Sequence, residues 1–134
     1  MDYFRLFFFV FLHTNFKIQT MIKYKKDIPI SIVENSGNIE GKISKDIILT
    51  PEEMLDKSIM FNVITLPSGS KIKEHSHQPD AEIYYMLEGE AIVTDNDTQA
   101  VIHAGDVVFT GNGDRHSITN NSGKDIRFLA CILK

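Results

Sequence analysis

One cysteine, Cys131, stands in a chain of 134 residues, which excludes an intrachain disulfide framework. It lies in the apolar run Ile126-Arg-Phe-Leu-Ala-Cys-Ile-Leu, where a small buried core side chain is the expected reading. Basic residues are also scarce: 14 Lys and Arg face 18 Asp and Glu, and no basic block occurs, so a nucleic-acid partner is not expected. The longest apolar run, Leu6 to Leu12 (LFFFVFL), is far shorter than the roughly 20 residues a spanning helix needs, and no membrane partner is expected. Internal repeats and low-complexity tracts are absent. What remains, with 43 % hydrophobic residues, suits one packed domain of ordinary size.

The N-terminal stretch, residues 1–27, is read as an extension. Arg5 followed by LFFFVFL resembles the opening of a signal peptide, but its apolar region is short and no small-x-small cleavage site follows. The favoured reading is a natural start at Met21, whose Met-Ile-Lys-Tyr-Lys-Lys opening suits a cytoplasmic protein. A packing element in a dimer ranks second, and a signal peptide last.

From residue 28 the chain reads as short extended runs punctuated by turns. Gly41 to Leu49, Met60 to Leu66, Glu82 to Leu87, Glu90 to Thr94, Gln99 to His103 and Val107 to Thr110 read as strands, rich in β-branched and aromatic residues. Asp95-Asn-Asp-Thr98 reads as a hairpin tip. Thr50-Pro51-Glu52-Glu53 predicts a short helix near residues 51–57, with Thr50 as N-cap and Glu53 closing a capping box. Eight to ten short strands at regular spacing predict an all-β fold, an antiparallel sandwich or barrel.

Within this frame, three histidines and a glutamate form the candidate site. His75, His77 and Glu82 fall between Gly69 and Gly89, and His116 falls between Gly105 and Asn120. On a strand, His75 and His77 would address the same face. A turn over Gln78-Pro79-Asp80-Ala81 would return Glu82 to that face. Imidazole and carboxylate together suit a first-row transition ion: Mn, Fe, Ni, Co, Cu or Zn. Four protein ligands on a six-coordinate ion leave two open positions, as a catalytic or ligand-binding site requires. An isolated His-x-His beside Lys73 and Glu74 would more often be two solvated loop histidines; Glu82, the flanking glycines and His116 reverse that balance. His13 and His103 lack such partners and are read as structural or exposed.

These two segments resemble the two sequence motifs of the cupin superfamily. Gly69 to Gly89 matches the first, G-x5-H-x-H-x(3,4)-E-x6-G, at each defined position. Gly105 to Asn120 matches the second, G-x5-P-x-G-x2-H-x3-N, except that Gly111 replaces the usual proline. Fifteen residues, Glu90 to Ala104, separate them, a spacing similar to that of small microbial cupins. The resemblance implies a jelly-roll β-barrel over a single domain, residues 28–134. It also implies His75, His77, Glu82 and His116 as metal ligands and a homodimer.

Period-two alternation places Tyr84 and Met86 on the face of Glu82, Ile118 on that of His116 and Lys73 on that of His75. Tyr84 is the one candidate catalytic residue, as a proton donor or an orienting hydroxyl; its plain alternative is a core tyrosine with a bonded hydroxyl. Lys73 could attract a carboxylate, but a solvated rim lysine is the commoner case. The resulting expectation is a metal-dependent enzyme acting on a small oxygen-rich molecule, of dioxygenase, decarboxylase, isomerase or lyase type. The alternative is a non-catalytic module that binds a metal or small ligand.

Overall fold

The computed structural model describes residues 21–134. Of the N-terminal extension, residues 1–20 and with them the LFFFVFL run and His13 lie outside the described residues. Eleven strands are present among those described: β1 Ile30–Glu34, β2 Ile39–Glu40, β3 Lys42–Leu49, β4 Ser58–Leu66, β5 Lys71–Ser76, β6 Ala81–Glu88, β7 Glu90–Asp95, β8 Thr98–His103, β9 Val107–Thr110, β10 Arg115–Thr119 and β11 Ile126–Leu133. All paired strands run antiparallel. They form a six-stranded sheet in the order β1-β3-β4-β11-β6-β9 and a five-stranded sheet in the order β2-β5-β10-β7-β8. This is the expected all-β jelly-roll barrel.

The strands alternate as a two-faced sheet must. In β6, Glu82, Tyr84 and Met86 turn inward and are buried, whereas Tyr85 and Leu87 turn outward and are exposed. The core that forms between the sheets includes Ile43, Ile64, Leu66, Met86, Ile118 and Phe128, each no more than 2 % exposed. Cys131 is buried, as expected.

The helix expected near residues 51–57 does not form. The capping box itself does: the Thr50 amide donates to Glu53 Oε1 (2.9 Å), and the Glu53 amide donates to Thr50 Oγ1 (3.2 Å). After this single turn, Leu55 (φ 54°) and Asp56 (φ 56°) enter the left-handed region, which ends helical propagation. β4 then starts at Ser58, because its whole length pairs with β11. The helical element among the described residues is instead a 3-10 turn at Lys25–Asp27.

Two glycines are required by their surroundings. Gly89 joins β6 to β7 at φ 90°, and a Cβ there would lie 2.7 Å from Ile126 Cγ2. A Cβ at Gly111 would lie 2.9 Å from the Cβ of Ala81, the neighbour of Glu82. The usual proline of the second motif would meet the same obstruction.

Candidate metal centre

His75 lies near the end of β5, and His77 just beyond it. The expectation of one strand carrying both is therefore corrected by one residue, and His77 is held by a loop. Its amide donates to the Asp114 carbonyl (3.1 Å), and its carbonyl accepts from the Gly113 amide (2.9 Å). Gly113 belongs to the Gly-rich corner before β10, so the corner that leads to His116 also fixes His77. Antiparallel pairing sets His116 directly opposite His75. Glu82 comes from the other sheet, on β6, opposite Thr110 of β9.

One donor atom from each of the four residues lies within 4.8 Å of the other three, a group that could hold a metal ion. Glu82 Oε1 is 2.9 Å from His116 Nε2, 3.1 Å from His77 Nε2 and 3.4 Å from His75 Nε2. His75 Nε2 and His116 Nε2 are 3.0 Å apart. His116 and Glu82 are almost wholly buried, and His75 is the most accessible of the four.

Each ring has its other nitrogen engaged. His75 Nδ1 donates to the Lys73 carbonyl (2.8 Å), His77 Nδ1 donates to Asp80 Oδ1 (3.1 Å), and His116 Nδ1 bonds Thr110 Oγ1 (2.8 Å). A carbonyl and a carboxylate only accept, so neutral His75 and His77 carry their proton on Nδ1. Their Nε2 lone pairs therefore face the Glu82 carboxylate. Lone pairs and an anion packed this closely repel one another unless a cation lies among them. The donor set thus fits a divalent transition ion, with partners that orient each ring.

A ligating set needs an ionised carboxylate and neutral imidazoles; Glu82 and His116 shift toward those forms, whereas His75 shifts away from the neutral one. Burial pushes the Glu82 carboxyl upward, but hydrogen bonding with His116 and with the protonated form of His75 outweighs it and brings it down to about 2. Burial lowers His116 and keeps it neutral despite the nearby carboxylate. His75 also feels burial, which its bonds to Glu82 and the Lys73 carbonyl overcome, so it is raised.

The cluster opens on a cavity of about 330 Å³, lined by His75, His77, Glu82, Tyr84 and Lys45 among others. Tyr84 lies on the expected face, 2 % exposed, with its ring stacked on His116 (4.7 Å between centroids, 14° between planes). Burial raises the Tyr84 phenol well above its ordinary value, and the Glu82 charge adds to this, so it stays a hydrogen-bond donor. Lys73 is exposed, and its backbone carbonyl rather than its ammonium serves the site. His103 is exposed beside Glu90, as expected.

Three contributors were not singled out by sequence reasoning. Asp80 reads in the sequence as a turn former, although it stands three residues from His77, from whose Nδ1 it accepts. Thr110 carries no local signal; its role follows from strand pairing across twenty-eight positions. Lys45 enters the cavity from β3, before either motif begins.

The cupin domain family model matches residues 62–132, more than half of the chain. The chain belongs to this family. It is 36 % identical over 113 residues to an oxalate-binding protein of Thermotoga maritima, covering 84 % of this chain and 93 % of that protein. It superposes with a TM-score of 0.79 on the crystal structure of a predicted oxalate decarboxylase from Thermotoga maritima, also 36 % identical, covering 84 % of this chain and 98 % of the other. A cupin-2 domain protein of Rhodospirillum rubrum, 10 % identical, shares the fold alone, with a TM-score of 0.69 over 87 % of this chain and 75 % of the other.

Proposed function

We propose that this protein binds a divalent first-row transition ion through His75, His77, Glu82 and His116, and uses it to capture a small acid of the oxalate class. The observation that carries the reading is the convergence of four donors, three of them oriented imidazoles, at one cavity. The ion, when bound, supplies Lewis-acid charge for the oxygens of the ligand. Tyr84 offers a phenol donor beside that ion, and the cavity wall is mostly apolar, with Ile43, Met60, Ile64 and Ile132 among its residues. The kinship with an oxalate-binding protein supports the choice of ligand.

Capture is favoured over turnover by one observation. Among the described residues that line the cavity, the only carboxylate is Glu82, which the ion would occupy. Tyr84, whose ring stacks on His116, is then the candidate proton donor beside the cluster for a decarboxylase- or lyase-type reaction. Two measurements decide these points. Elemental analysis of the His75→Ala, His116→Ala double variant is expected to show loss of bound metal from a protein that still folds; unchanged metal would sink the assignment. Calorimetry on metal-loaded protein is expected to show oxalate binding, with no carbon dioxide release. Turnover that Tyr84→Phe abolishes would favour the enzymatic reading instead.

We also propose a homodimer with a cytoplasmic location. The outward face of the six-stranded sheet carries two apolar rows in register, Phe61-Cys131-Ile83-Phe109 and Val63-Leu129-Tyr85-Val107. Phe109 and Val107 are each more than 60 % exposed, which suits burial against a second copy. A single, unpaired cysteine fits a reducing compartment. No helix among the described residues is long and apolar enough to cross a membrane.

A further inference from the structure

Lys45 is a cation on the inner wall with no ion-pair partner among the described residues. It sits on β3 two residues after Ile43, which is 1 % exposed, and directly opposite Ile64, which is 2 % exposed. Both neighbours line the same cavity as Lys45 and the metal-ligand candidates. Lysine seldom faces an apolar wall without a partner. Yet Lys45 forms no ion pair among the described residues, while Asp46 on the opposite face of the same strand pairs with Arg127. Among the described residues, the sole carboxylate lining the cavity is Glu82, already committed to the histidine cluster.

Oxalate does not account for this lysine. Its two carboxylates chelate one ion, and its few atoms leave most of a 330 Å³ cavity unfilled. The strand order sets β3 three strands from β6, about 14 Å across the sheet by ordinary strand spacing, and Lys45 lies in the register row of Met86, four residues along β6 from Glu82. That separation suits a ligand with a longer backbone. Between the two ends lie Met60, Ile64 and Ile132, an apolar stretch that matches methylene groups.

We infer that the preferred ligand is a larger dianion, and that Lys45 is the residue that selects it. One end is an oxalate-like head, a carboxylate with an adjacent oxygen, held at the ion. The other end is a second anionic group paired with the Lys45 ammonium. This inference rests on the proposed capture of an acid at the metal, and it specifies the class of acid.

The test compares paired probes on the metal-loaded protein: 2-oxoglutarate against 2-oxopentanoate, and 2-oxoadipate against 2-oxohexanoate. Within each pair only the distal carboxylate differs. A charge-assisted bond predicts that at least one diacid binds about tenfold more tightly than its monoacid partner. Lys45→Met is expected to erase that preference while leaving metal content unchanged, and Lys45→Arg is expected to retain it. Equal affinities within both pairs, or a preference that survives Lys45→Met, would overturn the role of Lys45 while oxalate binding still upholds the capture reading. Failure of metal-loaded wild-type protein to bind oxalate or any 2-oxo acid would overturn both.

Discussion

At the scale of single residues, the histidine cluster depends on atoms that never touch its centre. The Lys73 carbonyl, the Asp80 carboxylate and the Thr110 hydroxyl each occupy one Nδ1, which aims the corresponding Nε2 at Glu82. Removing such a partner frees a ring to rotate and change tautomer. Asp80→Ala and Thr110→Val are each expected to weaken metal binding roughly 10–100-fold, measured by competition with a chelating dye. Acid should release the metal through the imidazoles and not through the carboxylate. Glu82 remains ionised down to about 2, whereas the rings must be neutral to ligate. Metal retention is therefore full above the histidine range and falls as pH drops through it. Full retention down to the range in which Glu82 itself protonates, by elemental analysis after equilibration, would count against imidazole ligation.

At the scale of elements, local chemistry and long-range pairing compete openly between β3 and β4. Thr50, Pro51 and Glu53 form the capping box that their order predicts, but the helix ends after one turn because the sheet claims Ser58 onward. Glu53 is held low by its hydrogen bond from Lys23 (2.5 Å) and by the Thr50 amide. A depressed carboxyl contributes stability above its unfolded pKa and loses it as pH falls through the folded one. Glu53→Gln is therefore expected to lower Tm slightly at neutral pH and to leave it unchanged in strong acid, by calorimetry at both pH values. An equal loss at both would mean that only the geometry of the turn matters. The strands were more legible than the helix, since alternation in runs such as Glu82 to Leu87 reports the two faces of a sheet directly. The β2 pair Ile39–Glu40 was not legible, because two residues carry no period.

At the scale of the whole molecule, the two faces of the six-stranded sheet separate two tasks. The inner face carries Glu82, Tyr84 and Lys45, and the outer face carries the two apolar rows. A charge on the outer face should therefore disturb association without disturbing the metal centre. Phe109→Lys is expected to convert a dimer to a monomer in light scattering, with metal content unchanged. A wild-type monomer at the same concentration would sink the dimer proposal. β9 makes the separation visible within four residues, with Phe109 outward and its neighbour Thr110 bonded to His116.

The chain by itself determined which donors exist and how far apart they lie: His75, His77, Glu82 and His116 in two motifs, with glycines at the corners. It also determined the strand pattern, because turn chemistry and period-two alternation are local properties that neighbouring residues suffice to set. Only the tertiary structure decided which nitrogen of each ring faces the centre, that Thr110 steadies His116, and that Lys45 rather than Lys73 enters the cavity. Those outcomes follow from register between strands distant in the chain, such as Glu82 with Thr110 and Lys45 with Ile64. Register is set by the packing of both sheets at once, and no short stretch of sequence contains that information.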